Sequence, residues 1–167
     1  MDTKLTQVPR LTGLSEPLLT SLGMPLRPAI VLDTNVVLDW LVFNDPSSAP
    51  MATAIVQRQV CWIATAAMRG ELAAVLHRGL AAAHGADVSA VLAVWDAYAE
   101  PRDEPRHLAS TTALRCSDPD DQMFVDLARA AGARWLLSRD RAILRLARRA
   151  AALGLIFAVP EGWSAAV

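Results

Sequence analysis

At 167 residues with 53% hydrophobic side chains, the chain suits one compact domain with a substantial core, and two domains would be a squeeze. A formal net charge of -1 excludes an overall electrostatic case for a polyanionic partner, so only local concentrations of basic residues can argue for one. Two cysteines, Cys61 and Cys116, exclude a disulfide framework and lack metal-site spacing, and they read as buried thiols.

The N-terminus shows no charged segment leading into an apolar stretch and a cleavage site, and no apolar run approaches the roughly 18 residues of a membrane span. The expected setting is a soluble, reducing cytoplasm without membrane contact. Pro9, Pro17, Pro25 and Pro28, with Gly13 and Gly23 between them, mark residues 1–27 as an extension laid over the domain, and residues 28–167 as the domain itself.

Strand-like and helix-like segments then alternate. "AIVLD" reads as a strand, "TNVVLDWLVF" and "APMATAIVQRQ" as helices, and "VCWIA" as a second strand. "TAAMRGELAAVLHRGL" is helical by its stripe of Met68, Leu72, Val75 and Leu76, and "DVSAVLAVWDAYA" is a further helix. "DPDDQMFVDLARAAGA" predicts a helix closed by Gly132, "RWLLS" a strand, "RDRAILRLARRAAALG" one helix closed by Gly154, and "LIFAV" a last strand. This alternation predicts an α/β fold with a mostly parallel sheet and helices on both faces.

In such sheets ligands bind beyond the carboxyl ends of the strands, where the chain order switches. Asp33 ends the first strand, and "RWLLSRD" leads through Ser138 to Asp140 at the same edge. Glu71 lies on or beside the apolar stripe of its helix, and Asp121 shares a face with Phe124, Val125 and Ala128. Taken singly, each acid has a simpler structural reading. Asp33 and Asp140 can cap the helices that follow them, and Glu71 can pair with Arg69 or Arg78. Asp118 before Pro119 makes a good N-cap, with Asp120 and Asp121 favouring the helix dipole. Four acids at one edge of one sheet weaken those readings together.

A pocket of carboxylates needs counter-charge, and hard oxygen ligands select Mg²⁺ or Mn²⁺ over zinc. Such a site suits metal-assisted phosphodiester hydrolysis, which needs no nucleophilic side chain.

"VLDTNVVLDWL", "RGELAAVL", "DPDDQMFVDLARAAGARWLLSRD" and "LIFAVPEGW", in that order, resemble the PIN domain, and most the VapC-like toxin components of bacterial toxin–antitoxin systems. The similarity spans roughly residues 28 to 163. It implies a metal-dependent endoribonuclease with a three-layer α/β/α fold around about five strands. It also implies an RNA substrate, a protein antitoxin and a homodimer. By the same resemblance Asp33, Glu71, Asp121 and Asp140 match the family's four acids in order, with Asp118 as an additional candidate ligand. Asn35 matches the polar residue that helps hold the site, and Ser138 the small hydroxyl residue before the fourth acid. Arg139 stands where many relatives have glycine, a position from which it would narrow the pocket or contact phosphate.

The run from Arg139 to Arg149 holds Arg139, Arg141, Arg145, Arg148 and Arg149 against Asp140 alone. It reads equally as a phosphate-binding surface, with Arg139, Arg141 and Arg145 nearest the acids, and as the solvated face of an arginine-rich helix. His77, His84 and His107 lack a neighbouring nucleophile and read as surface or satisfied side chains. The tryptophans at 40, 62, 95, 135 and 163 read mostly as core, although Trp95 and Tyr98 at helical spacing also suit a subunit interface or an antitoxin segment. Asp39 reads as a surface residue of its helix. Two other classes compete with the nuclease. One is a catalytically degenerate PIN-like module that binds RNA or protein. The other is a phosphoacceptor domain, disfavoured because the sole lysine, Lys4, lies in the extension.

Overall fold

A computed structural model describes residues 27–105 and 114–165 of the chain. The extension expected over residues 1–27 therefore falls outside the described residues except for Arg27, and His107 falls outside as well.

The first strand, β1 (Ala29–Leu32), is buried because it lies in the middle of the sheet. It pairs in parallel with β2 (Cys61–Ala64) on one side and β4 (Trp135–Leu137) on the other. An outer strand flanks each of these, β3 (Glu100–Pro101) beside β2 and β5 (Ile156–Ala158) beside β4, giving the order β3-β2-β1-β4-β5 with every pairing parallel. Helices flank this sheet in the three-layer α/β/α arrangement. The short β3 is not legible as a strand in the sequence. It contains Pro101, which lacks a backbone donor and is tolerated because β3 is an edge.

The chain leaves β1 toward β2 and later returns to the other side of β1 as β4. The switch point therefore lies between β1 and β4. Leu32 is in register with Leu137, which puts Asp33 and Ser138 side by side at the carboxyl edge, and the Asp33 N–H donates to the Leu137 carbonyl at 3.0 Å.

Helix α1 (Thr34–Leu41) buries Val36, Val37 and Leu38, and α2 (Ala49–Val56) buries Met51, Ala54 and Ile55. Helix α3 (Ala66–Val75) buries Met68 and Leu72, its start capped by the Thr65 side chain. The expected continuation of this helix to Leu80 is altered. A π-turn over Leu76–Leu80, with Gly79 at φ 103, separates α3 from the single turn α4 (Ala81–Ala83). That backbone conformation suits glycine because a Cβ would be strained there.

Helix α5 (Val88–Tyr98) seats Trp95 edge-on against Trp62 with ring centroids 4.7 Å apart, so Trp95 belongs to the core. Trp40 is half-buried beside Trp62, and Trp135 meets Trp163 at 5.4 Å. Helix α6 (Gln122–Ala130) buries Phe124, Val125, Leu127 and Ala128 and packs on β1 and β4. Cys61 and Cys116 are free, buried thiols, and burial pushes that of Cys61 up to about 11.

The single helix expected over residues 139–154 is two pieces, α7 (Arg141–Leu144) and α8 (Ala147–Ala151). At the join the Leu146 N–H bonds to the carbonyl of Ile143, three residues back, which tightens the turn. Ile143, Leu146 and Ala150 are all buried across the break, so packing outweighs helical continuity. Among the described residues, no helix is long and apolar enough to cross a membrane.

Candidate functional site

The switch point gathers acids from four elements. Asp33 occupies the N-cap position of α1 with an extended backbone, but its side chain makes no N-cap hydrogen bond. It is 2% exposed, and its Oδ2 accepts a hydrogen bond from Ser138 Oγ at 2.7 Å. Burial raises its pKa most; Ser138 and the backbone N–H of Asn35 oppose that, and the Asp140 charge raises it further.

Ser138 is fully buried, and the same hydroxyl accepts from the Asp140 N–H at 2.8 Å. One oxygen thus ties the ends of β1 and β4 together. Asp140 does cap α7, its Oδ1 accepting from the Ala142 N–H at 2.5 Å, which leaves its second oxygen outside the cap. The cap and a role facing Asp33 are therefore compatible.

The simple readings of Glu71 and Asp121 hold only in part. Arg69 is engaged by Asp96, with N···O distances of 2.7 Å, and so does not pair with Glu71. Burial raises the Glu71 pKa first. The Thr34 side chain hydrogen-bonds it and lowers the pKa, Asp33 and Asp120 raise it, and Arg78 lowers it. Asp121 sits at the start of α6 without capping it. Its pKa is lifted to about 7, by burial first and then by the charges of Asp33, Asp140, Asp118 and Glu71. Among the described residues, Oε2 of Glu71 and Oδ2 of Asp121 are buried oxygens that no hydrogen bond reaches.

The expected helix start at Asp118 is instead a turn. Asp118 Oδ1 accepts from the Asp120 N–H at 3.0 Å, and α6 begins only at Gln122. Asp118 and Asp120 are exposed. Asn35 is exposed in the first turn of α1.

Burial and neighbouring acidic charges raise the proton affinity of Asp33, Glu71 and Asp121, which marks a site short of positive charge. Its donors are all hard oxygens, and two of them are orphaned, which fits a divalent cation of the Mg²⁺ or Mn²⁺ type. Among the described residues, no three such side chains close into a compact metal-holding cluster. That openness is compatible with Mg²⁺, which keeps several waters and takes only one or two carboxylates directly.

Arg139 has partners the sequence did not reveal. Its guanidinium donates to Asp39, Asp45, Ser47 and Glu161. This corrects the reading of Asp39 as a plain surface residue, since its side chain is only 13% exposed and Arg139 holds it. Arg141 and Arg145 are exposed on and just after α7, as are Arg148 and Arg149. His77 and His84 are exposed, their rings bonded to the carbonyls of Ala73 and Leu80 one helical turn back.

Sequence reasoning missed two supports of the site. Thr34, buried beside Glu71, had no signal except its place after the first acid. Gln122 accepts from the Cys116 N–H at 2.7 Å and donates to the Leu114 carbonyl and Asp126, pinning the acidic turn to α6.

Residues 29–142 match the PIN domain family. The chain belongs to that family, whose members are generally nucleases and typically use divalent metals. The fold is similar to a chain in the crystal structure of VapBC2 from Rickettsia felis bound to a DNA fragment from their promoter. That chain is 12% identical, the match covers 77% of this chain and 96% of that one, and the TM-score is 0.53. At that identity the likeness concerns the fold. No curated protein sequence matches significantly.

Proposed function

We propose that the protein is a metal-dependent endoribonuclease and the toxin of a toxin–antitoxin pair. The observation that supports this most is the pair of buried, unpartnered carboxylate oxygens of Glu71 and Asp121, set among Asp33 and Asp140 at the switch point. Asp33, Glu71, Asp121 and Asp140 are the proposed metal-holding and catalytic acids, with Asp118 as a further ligand at the rim. A bound Mg²⁺ or Mn²⁺ supplies a water of lowered pKa and neutralises phosphate charge.

The chain's own residues do the rest. The Ser138 hydroxyl orients Asp33 and favours its ionised form against the effect of burial, and Thr34 does the same for Glu71. Asn35 contributes its backbone N–H beside Asp33. Arg141 and Arg145 offer exposed positive charge next to Asp140 for the phosphate backbone of RNA. The likeness to a VapBC2 chain favours an antitoxin protein as partner, and a homodimer is the accompanying expectation.

The test is cleavage of single-stranded RNA by the full chain with Mn²⁺, and with a chelator in its place. Asp33→Asn and Asp121→Asn are each expected to abolish metal-dependent cleavage with the fold intact by circular dichroism. Undiminished cleavage by either variant refutes the assignment. RNA binding without cleavage by the wild type at every pH tested identifies the degenerate, binding-only module instead.

A further inference from the structure

The corner after β4 sends two neighbouring side chains in different directions. Ser138 is fully buried and reaches Asp33, whereas Arg139 has a side chain 32% exposed and reaches away from the acids. Its Nε donates to Asp39 Oδ2 and its Nη1 to Glu161 Oε1. Nη2 donates to Asp45 Oδ2 at 3.2 Å and to Ser47 Oγ at 2.9 Å. These acceptors come from α1, from the turn that leads into α2 and from the segment after β5. A planar fork of five fixed donors can serve acceptors in three directions at once, which an ammonium on a flexible stem cannot do with the same geometry.

Three carboxylates around one guanidinium leave this cluster negative, and each edge of the fork is already taken. Phosphate would have to displace a carboxylate to bind there. The cluster acts instead on the position of α1. Residues 138 and 139 tie the same strand end to α1 twice, through Asp33 at its N-cap and through Asp39 six residues on. Those two attachments lie about 9 Å apart along a helix axis that rises about 1.5 Å per residue. A single attachment is a pivot, whereas two hold the helix at a fixed angle.

We propose that Arg139 is a positioning residue that braces α1 against the β4 corner, so that Asp33 and Asp140 keep the mutual placement a shared divalent cation requires. This rests on the nuclease reading of the site. Asp39, Asp45 and Glu161 are the anchor points of the brace.

The test uses full-length wild type, Arg139→Gln, Asp39→Asn and Arg139→Lys. Mn²⁺ affinity is measured by electron paramagnetic resonance of the free ion, and RNA cleavage as separate kcat and KM. Arg139→Gln and Asp39→Asn are each expected to weaken Mn²⁺ binding and lower kcat by roughly 10–100-fold, the usual effect of losing a group that orients metal ligands. KM for RNA should stay within about twofold, because no substrate contact is removed. Arg139→Lys should recover only part of the loss. Asp39→Asn keeps the test open if Arg139→Gln does not fold, since it removes one anchor and leaves the others.

Unchanged Mn²⁺ affinity in folded variants, whatever their melting temperatures, overturns the brace, and so does a raised KM with unaltered kcat. Wild type that neither binds Mn²⁺ nor cleaves RNA overturns the nuclease reading and the brace with it. Wild-type binding that Arg139→Gln leaves intact overturns the brace alone.

Discussion

Replacing Asp121 by asparagine is expected to stabilise the metal-free protein at alkaline pH while removing its ability to be stabilised by metal. Asp121 is lifted from an ordinary 3.8 to about 7 by burial and by four neighbouring acids. At roughly 1.36 kcal/mol per tenfold change in proton affinity, its ionised form costs an upper bound of about 4 kcal/mol. Partial exposure and the sharing of protons within the cluster reduce this to about 1–2 kcal/mol. The folded acid keeps its proton to higher pH than the unfolded one. Folding therefore takes up protons between about pH 4 and pH 7, and this group's contribution makes stability fall as pH rises through that window. Asparagine carries no charge to repel Asp33, Glu71 or Asp140, and its amide can donate to them.

Denaturant melts of chelator-treated wild type and Asp121→Asn at pH 5 and pH 8 measure the effect. The variant should gain on wild type by about 1–2 kcal/mol at pH 8 relative to pH 5. Adding Mn²⁺ should reverse the order, because only wild type gains RT ln(1 + [L]/Kd) from binding. A variant with the same pH dependence as wild type, or one equally stabilised by Mn²⁺, refutes the reasoning.

Ser138→Ala removes the hydroxyl that donates to Asp33 Oδ2 and accepts from the Asp140 N–H. It should cost about 1–3 kcal/mol in thermal melts, since a buried carboxylate loses its donor, and a loss below the error of the melt would contradict the assigned bridge. The paired change Arg141→Gln with Arg145→Gln should raise KM for RNA. It should also flatten the slope of log affinity against log salt by roughly 1.4, as expected for two lost contacts to a single strand. An unaltered salt slope would return these arginines to the solvated face of α7.

Much of the architecture was legible because it follows from local patterns. "AIVL", "CWIA" and "WLL" are short apolar runs that read as buried strands in an alternating chain, and their parallel pairing follows from the helices between them. Gly79, by contrast, stood inside an apparently continuous helical stripe, and only its φ of 103 shows where that helix breaks. The 139–154 helix likewise broke where burial of Ile143, Leu146 and Ala150 outweighed an unbroken hydrogen-bond ladder. The two-residue β3 is too short for any periodicity to announce it.

The sequence by itself determined which side chains reach the carboxyl edge of the sheet. A strand's end is a local property, so Asp33 and Asp140 were placed there by the strands that precede them. Tertiary structure alone decided what those residues meet. That Ser138 bridges Asp33 and Asp140, that Glu71 and Asp121 keep oxygens without partners, and that Arg139 turns to Asp39 depend on contacts between residues up to 105 apart in the chain. Long-range pairing is set by how the layers pack, and no spacing within one segment encodes it.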